Sequence, residues 1–402
     1  MTTNPVVVVG AGHSGVSTAI ALRDEGFAGD IIVIGDEHHR PYNRPPLSKS
    51  YLKGADDVTI REDEFWRDRS IRLVLGRSVA AIDTGAHTIR LDSNETVSYS
   101  SLVLATGASA RTIPAQAPYD VFRSLDDAVA IRKRLVPGSR LCIVGGGFIG
   151  LELACAARTH GVEVTLIEAA PRLLTRAVSA DMADHLAAAQ ASNGVRLALG
   201  TSVRSILPGQ VVLESGECIE TDSVVVGIGV TPNVGIAAAA GLSVSDGIVV
   251  DEYLATSAAD VYAIGDCAQF PCSVSGRPVR LESVQNGTDQ AKYVARGIAS
   301  GTFTEPYRSV PWFWTEQYGN KLMIAGCAQQ ADRAIVRGTP GNGGFSVCRV
   351  DSNGYLTAVE SIDSPRDHVA ARRLLAAPGG TIVVPDLVAD PGVPLGEALA
   401  TV

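Results

Sequence analysis

The chain has 402 residues, 46% of them hydrophobic, and 43 acidic residues against 34 basic ones give a formal net charge of −9. That length exceeds what one hydrophobic core supports, so two or three domains are expected, and the acidic balance argues against a nucleic-acid binder. No apolar run reaches the ~18 residues of a membrane span. Even Val224 to Leu242 is broken by Thr231, Pro232 and Asn233, and the N-terminal apolar run leads into a glycine loop without a basic leader, so a cytoplasmic protein is expected.

The first stretch with a mechanism is Val6 to Gly15, VVVVGAGHSG. Four valines suit a strand buried on both faces of a parallel sheet, and Gly10, Gly12 and Gly15 have the GxGxxG spacing of a dinucleotide loop. Gly10 allows the tight turn, Gly12 the approach of a pyrophosphate, and Gly15 the close packing of the following helix. The spacing predicts a helix over 13–25 ended by Gly26, then a strand over 30–34. Asp36, with Glu37 as its neighbouring alternative, stands where a ribose hydroxyl needs an acceptor.

In RPYNRPPLSKSYLK, residues 40–53, three prolines forbid regular structure before a short helix from Leu47. Arg44 and Lys49 on this turn suit a bound pyrophosphate and an electron-rich ring, with an exposed basic loop as the plain alternative. A charged helix or turn is expected over 61–69, and short strands over 71–75, 79–82 and 87–91. The strand SLVLATG, 101–107, ends in Ala105, Thr106 and Gly107, which let backbone come close to a ligand.

The pattern then repeats. A helix over 125–135 and a strand over 140–144 lead to Gly145, Gly147 and Gly150, with Ile149 inside the loop, a helix over 148–160, a strand over 162–167, and Glu168. Every part of a second dinucleotide fingerprint is present. Glu168 accepts from a ribose and repels a 2′-phosphate, favouring NADH, while Arg172 and Arg176 keep NADPH open. The unit closes with SVVVGIGVTP, 223–232, which carries Gly229. Further on, DVYAIGDCAQ, 260–269, reads as a strand ending in Gly265 and Asp266, and a long helix follows Arg280. After PWFWT, 311–315, short strands and a helix over 368–375 suggest a small mixed domain.

The seven cysteines are scattered without a CxxC pair, and are read as buried thiols of a reducing compartment. Cys267 and Cys272 have C-x4-C spacing but follow the GD of residues 265–266, and are not expected to be redox-active. The histidines show no ligand spacing, so no metal site is expected.

Two fingerprints about 135 residues apart, together with PYNRPPLSK, ATG, GGGFIGLE, GIGVTPN, AIGDCA, ESVQN and PWFWTEQY, resemble the oxygenase-coupled NADH-dependent ferredoxin reductases of the FAD-dependent pyridine nucleotide-disulfide reductase superfamily. The resemblance implies an α/β fold with two Rossmann-like, glutathione-reductase-like dinucleotide-binding domains and a small α+β C-terminal domain. The implied division is a discontinuous FAD domain, 1–109 and 235–308, an inserted NADH domain, 110–234, and a C-terminal domain, 309–402. It carries the FAD contacts onto Ser14, Asp36, Lys49, Val79, Arg123, Asp266 and Val284, with Arg44 and Ala105 as neighbours and Trp314 near the flavin and nicotinamide. Lys49 would stabilise charge on the reduced ring, and Glu152, in GLE, would sit near the nicotinamide and pair with Lys49. Glu316 and Gly319 depart from the family pattern of the flavin-covering strand.

The disulfide-reductase branch resembling glutathione reductase carries C-x4-C soon after the first loop, whereas residues 37–60 here hold no cysteine. The implied activity is hydride transfer from NADH to FAD, then single electrons to a [2Fe-2S] ferredoxin that supplies a haem monooxygenase or a Rieske-type oxygenase. The alternatives are a rubredoxin reductase and an apoptosis-inducing-factor-like flavoprotein with mainly an interaction role. A monomer or weak dimer is expected, and Arg366, Arg372 and Arg373, or Arg172 and Arg176, are the candidate basic docking patches.

Overall fold

Every residue of the strand Val6–Val9 is buried, as four consecutive valines require when a sheet is covered on both faces. The computed structural model describes residues 4–400 and divides them into two compact units. The first holds the residues up to Asn43 with Val58–Ser109 and Thr231–Ser309; the second holds Arg44–Asp57, Ala110–Val230 and the chain from Val310 onward.

In the first unit a five-stranded, wholly parallel sheet has the order Val261–Ala263, Ser101–Leu104, Val6–Val9, Ile31–Gly35, Ile71–Leu75. Val7 lies opposite Ile32 on one side and Leu102 on the other. Parallel pairing needs a crossover, supplied by the helix His13–Asp24, against which the helix Val284–Ser300 packs. Gly10 holds φ +114°, and a Cβ there would drive into the Ala105 carbonyl oxygen. A Cβ on Gly15 would collide with the Gly10 carbonyl, so strand, turn and helix are locked by backbone contact.

The second unit repeats this plan with parallel strands in the order Val195–Leu199, Glu163–Glu168, Arg140–Val144, Ser223–Val226, Asp120–Val121. The crossover helix is Phe148–Thr159. A five-stranded antiparallel sheet follows, ordered Trp312–Gln317, Asn320–Gly326, Leu356–Ile362, Phe345–Val350, Arg333–Arg337, with the helix Pro365–Leu375 packed on it. Arg337 ties down the chain that follows this helix: it is paired with Asp367 at 3.1 Å and donates to the carbonyls of Val388, Asp390 and Val393. The segment Arg44–Asp57 belongs to this unit because its apolar residues are taken up there. Leu52 is fully buried in the core of the second unit, His160 Nε2 meets the Leu52 carbonyl at 2.6 Å, and Arg132 reaches Asp56 at 3.1 Å.

Three local expectations are corrected. The helix from Leu125 ends at Arg132, beyond which Arg134 and Leu135 donate three residues back in a tightened turn. The late helix begins at Pro365, since proline lacks only the amide that a first turn leaves unused. Cys218 is exposed and Cys327 half-buried, unlike the other thiols. Cys218 and Glu220 are exposed on either side of buried Ile219, as alternation on a half-covered strand demands.

Two stability effects follow. Gly10→Ala should lower unfolding free energy by about 2–4 kcal/mol in urea titrations, from the positive φ and the carbonyl collision together. His368 is buried with Nδ1 unpartnered, and burial pushes its pKa down to about 4, with Arg372 and Lys321 acting in the same direction. The unfolded chain therefore binds this proton near pH 6.5 and the folded chain only near 4, so the neutral imidazole's contribution is present above pH 6.5 and lost as pH falls through that window. Between pH 7 and pH 5 the parent should lose ~1–2 kcal/mol more than His368→Gln, read from urea unfolding at both pH values.

Candidate dinucleotide and redox site

Five of the longer helices start at a residue whose side chain either caps them or is missing altogether. Ser124, Ser179 and Ser283 each accept a bond from an amide of the helix that follows, beginning at Leu125, Ala180 and Val284. Gly12 and Gly147 begin His13–Asp24 and Phe148–Thr159 with no such bond, and a Cβ on either would meet nothing within 4 Å. Both glycine-loop helices thus present open amides and space in front of them, the fit that a dinucleotide pyrophosphate requires.

Around the first loop, Ser14 Oγ fills the space that side chains on Gly265 and Gly287 would take, so the first crossover helix, the GD turn and the helix after it interlock. Asp266 lies in the short turn Gly265–Cys267, whose first amide donates to Gln290 Oε1 at 2.7 Å, and Val284 opens the helix capped by Ser283. Asp36 is exposed at the end of its strand, whereas Glu37 accepts from the Tyr42 hydroxyl at 2.6 Å. Of the two acidic residues, Asp36 is therefore the one presented outward. Val79 starts a strand paired with Thr88–Leu91, and Ala105 supplies the carbonyl that Gly10 approaches. His13 was not singled out in the sequence, yet it sits inside the loop with Nε2 at 2.8 Å from Thr288 Oγ1, its pKa lowered by burial against the opposing pull of Asp266.

The second loop has the same backbone: Gly145 holds φ +115° and Gly150 packs on the Gly145 carbonyl. Glu168 Oε2 accepts from the Gly146 amide at 2.7 Å and Oε1 from Ala170 at 2.8 Å, fixing the carboxylate at the strand end beside the loop. Ile149, an isoleucine 43% exposed at the helix start, offers an apolar surface there. Gly229 holds φ +97° after the strand Ser223–Val226 and accepts from the Arg111 amide.

The second unit also assembles a buried charge site. Glu152, 2% exposed, is paired through Oε1 with Lys49 Nζ at 2.8 Å and accepts through Oε2 from Ser48 Oγ. Thr315 Oγ1 donates to Oε1 at 2.6 Å. Arg44, on the same proline turn, donates to the Arg123 carbonyl at 2.7 Å. In the strand Trp312–Gln317, the Phe313 ring lies tilted against Phe148, centroids 4.6 Å apart, on the side that Thr315 shares, while Trp312 and Trp314 lie 5.5 Å apart on the other. Gly10, Gly12, Ser14, Gly15, Asp36, Val79, Ala105, Gly265, Asp266 and Val284 thus belong to the first unit. Arg44, Lys49, Arg123, Glu152 and Trp314 belong to the second with all the NAD-assigned residues. Ser48 and Thr315 were missed; their only signal was adjacency to Lys49 and Trp314.

Cys267 and Cys272 are buried, and the Cys267 thiol points at the carbonyls of Ile264 and Leu104 at 3.3 and 3.5 Å while burial pushes its pKa up. Burial of this kind disfavours the thiolate, the reactive form, at Cys267. Among the described residues no cluster of three His, Cys, Asp or Glu is placed to hold a metal ion, and no helix is long and apolar enough to cross a membrane.

Residues 4–291 match the pyridine nucleotide-disulphide oxidoreductase family, and residues 312–399 match the reductase C-terminal family. The chain belongs to the pyridine nucleotide-disulphide oxidoreductases, enzymes that use FAD and NAD(P)H. It is 42% identical to rhodocoxin reductase of Rhodococcus erythropolis over 98% of this chain and 94% of that one. A rubredoxin-NAD(+) reductase of Pseudomonas putida is 36% identical, over 95% of this chain and all of the other. Among solved structures, the covalent putidaredoxin reductase–putidaredoxin complex matches with a TM-score of 0.94 at 33% identity, covering 99% of this chain and 98% of that one. The ferredoxin-reductase resemblance and the expected fold class are both borne out.

If the two cysteines are structural only, the double variant Cys267→Ala, Cys272→Ala should reduce its flavin with NADH within about twofold of the parent rate in stopped-flow absorbance.

Proposed function

We propose that this chain is a cytoplasmic NADH:ferredoxin oxidoreductase, the electron-supply component of an oxygenase system. Bound FAD supplies the chemistry of accepting a hydride from NADH and returning electrons singly to a [2Fe-2S] ferredoxin serving a haem monooxygenase or Rieske-type oxygenase. The observation that carries this reading is the pair of open glycine-loop helices in a chain whose two C-x4-C thiols are both buried. Two dinucleotides have places to bind, and no dithiol stands ready to take the electrons onward.

The residues divide the work as follows. The amides behind Gly10, Gly12 and Gly15 receive the FAD pyrophosphate, Ser14 and Asp266 its oxygens, and Asp36 its ribose, with Val79, Ala105, Gly265 and Val284 giving backbone contacts. The loop of Gly145, Gly147 and Gly150 receives NADH, Glu168 orients its ribose and disfavours a 2′-phosphate, and Ile149 and Gly229 flank it. Lys49, held by Glu152, presents positive charge toward the flavin, Arg44 and Arg123 flank the proline turn, and Trp314 gives an apolar wall to flavin and nicotinamide. We assign residues 1–109 and 235–308 to the FAD domain, apart from 44–57, whose residues pack in the second unit, 110–234 to the NADH domain and 309–402 to the C-terminal domain, in a monomer or weak dimer. Arg366, Arg372 and Arg373 on the C-terminal helix, or Arg172 and Arg176, all exposed, are the candidate docking patches for an acidic carrier.

Rubredoxin reduction is the second reading, favoured by the rubredoxin-NAD(+) reductase among the relatives. NADH-dependent cytochrome c reduction, measured with [2Fe-2S] ferredoxins and with rubredoxins, separates the two. Turnover should require a ferredoxin and slow as salt is added; turnover with rubredoxin alone would select the second reading. Lys49→Met should reduce its flavin at least about tenfold more slowly with NADH, and a parent-like rate would remove Lys49 from the mechanism.

A further inference from the structure

The strand Trp312–Gln317 breaks the rule that the buried face of a strand is apolar. Thr315 and Gln317, two residues apart on that face, are each 1% exposed, and Gln190 opposite them is fully buried. Three uncharged polar side chains in one interior are costly unless each is hydrogen-bonded, and valine, leucine or methionine would fill the same volume more cheaply.

The bonds they make run in one direction. Tyr318 Oη donates to Gln190 Oε1 at 3.3 Å, Gln190 Nε2 to Gln317 Oε1 at 2.9 Å, and Gln317 Nε2 to Thr315 Oγ1 at 3.3 Å. Thr315 Oγ1 then donates to Glu152 Oε1 at 2.6 Å. Gln190 Nε2 also donates to the carbonyl of Leu151, the residue before Glu152, at 3.1 Å. With its oxygen occupied by Gln317, the Thr315 hydroxyl has its proton committed to Glu152. The series therefore points a row of donors at one carboxylate, each polarised by the next.

We propose that Thr315 is a positioning residue for the Lys49–Glu152 pair, and that Gln317, Gln190 and Tyr318 behind it fix the direction of its hydroxyl. Thr315 and Ser48 together restrict the carboxylate, so that Oε1 is aimed at Lys49 and the ammonium is kept in place. This rests on the reading that Lys49 serves the flavin, and the other polar alternative, a packing role only, predicts no electrostatic effect.

The test uses the flavin-loaded full chain and reads the equilibrium midpoint potential of the bound flavin beside the NADH reduction rate. Thr315→Val should make two-electron reduction less favourable by up to about tenfold, a shift of about −30 mV. The limiting rate should fall by a similar factor with the NADH dissociation constant within about twofold, and Thr315→Ser should restore both. Gln190→Leu, at a distance from the pair, should shift the potential the same way by less, and it keeps the test usable if Thr315→Val loses flavin or folds poorly. Parent-like potentials in Thr315→Val and Gln190→Leu, with a shifted Lys49→Met, would overturn the role of Thr315 and leave that of Lys49 standing. A parent-like potential in Lys49→Met would instead overturn the reading beneath it.

Discussion

A carboxylate removed from water must be surrounded by donors, and the second unit is built to satisfy that demand at Glu152. The helix Phe148–Thr159 is fixed by its glycine loop and cannot turn the side chain outward, so partners have to come to it. They arrive from two distant parts of the chain: Ser48 and Lys49 from the proline turn, Thr315 from the C-terminal sheet. Leaving out Lys49 would strand a buried charge, a penalty larger than the net value of the pair itself, and leaving out Ser48 or Thr315 would take one donor from the carboxylate. The same constraint explains why a turn as short as residues 44–57 belongs to the unit that holds Glu152.

The glycine loops express a different economy. In each, the backbone of strand, turn and helix is so close that only hydrogen fits where a Cβ would stand, and the reward is a helix start left open to a ligand. Capping those starts with serine, as in three other helices, would stabilise the empty fold and compete with the phosphate. Function and stability thus part company at the same two positions.

How much could be read in advance follows the range of the interactions. The two loops, the strands feeding them and the acidic residues after them are encoded within about thirty residues each, so spacing alone announces them. Glu168 gave itself away in this manner. The choice between Asp36 and Glu37 was undecidable in sequence because it turns on the hydroxyl of Tyr42, placed there by a bend in the chain. Ser48 and Thr315 lie 104 and 163 residues from the carboxylate they serve, and neither residue type is distinctive. Gln190 looked like the ordinary polar residue of a helix, since nothing local says that its side chain points inward. The exposed Cys218 was misjudged for the opposite reason, a residue type that is usually buried landing on the open face of a small sheet.

The interleaving of the two units also governs when each can form. The strand Val261–Ala263 completes the first sheet beside Ser101–Leu104, and the second unit needs the strand Trp312–Gln317 beside a helix laid down at Phe148–Thr159. Neither unit is a continuous stretch of chain. During synthesis the strand Ser101–Leu104 must therefore wait for its outer partner Val261–Ala263, so the complete sheet forms only after most of the polypeptide has emerged. A nascent chain of this design depends on being shielded while it waits, and truncations near residue 250 would leave sticky edges instead of a working half.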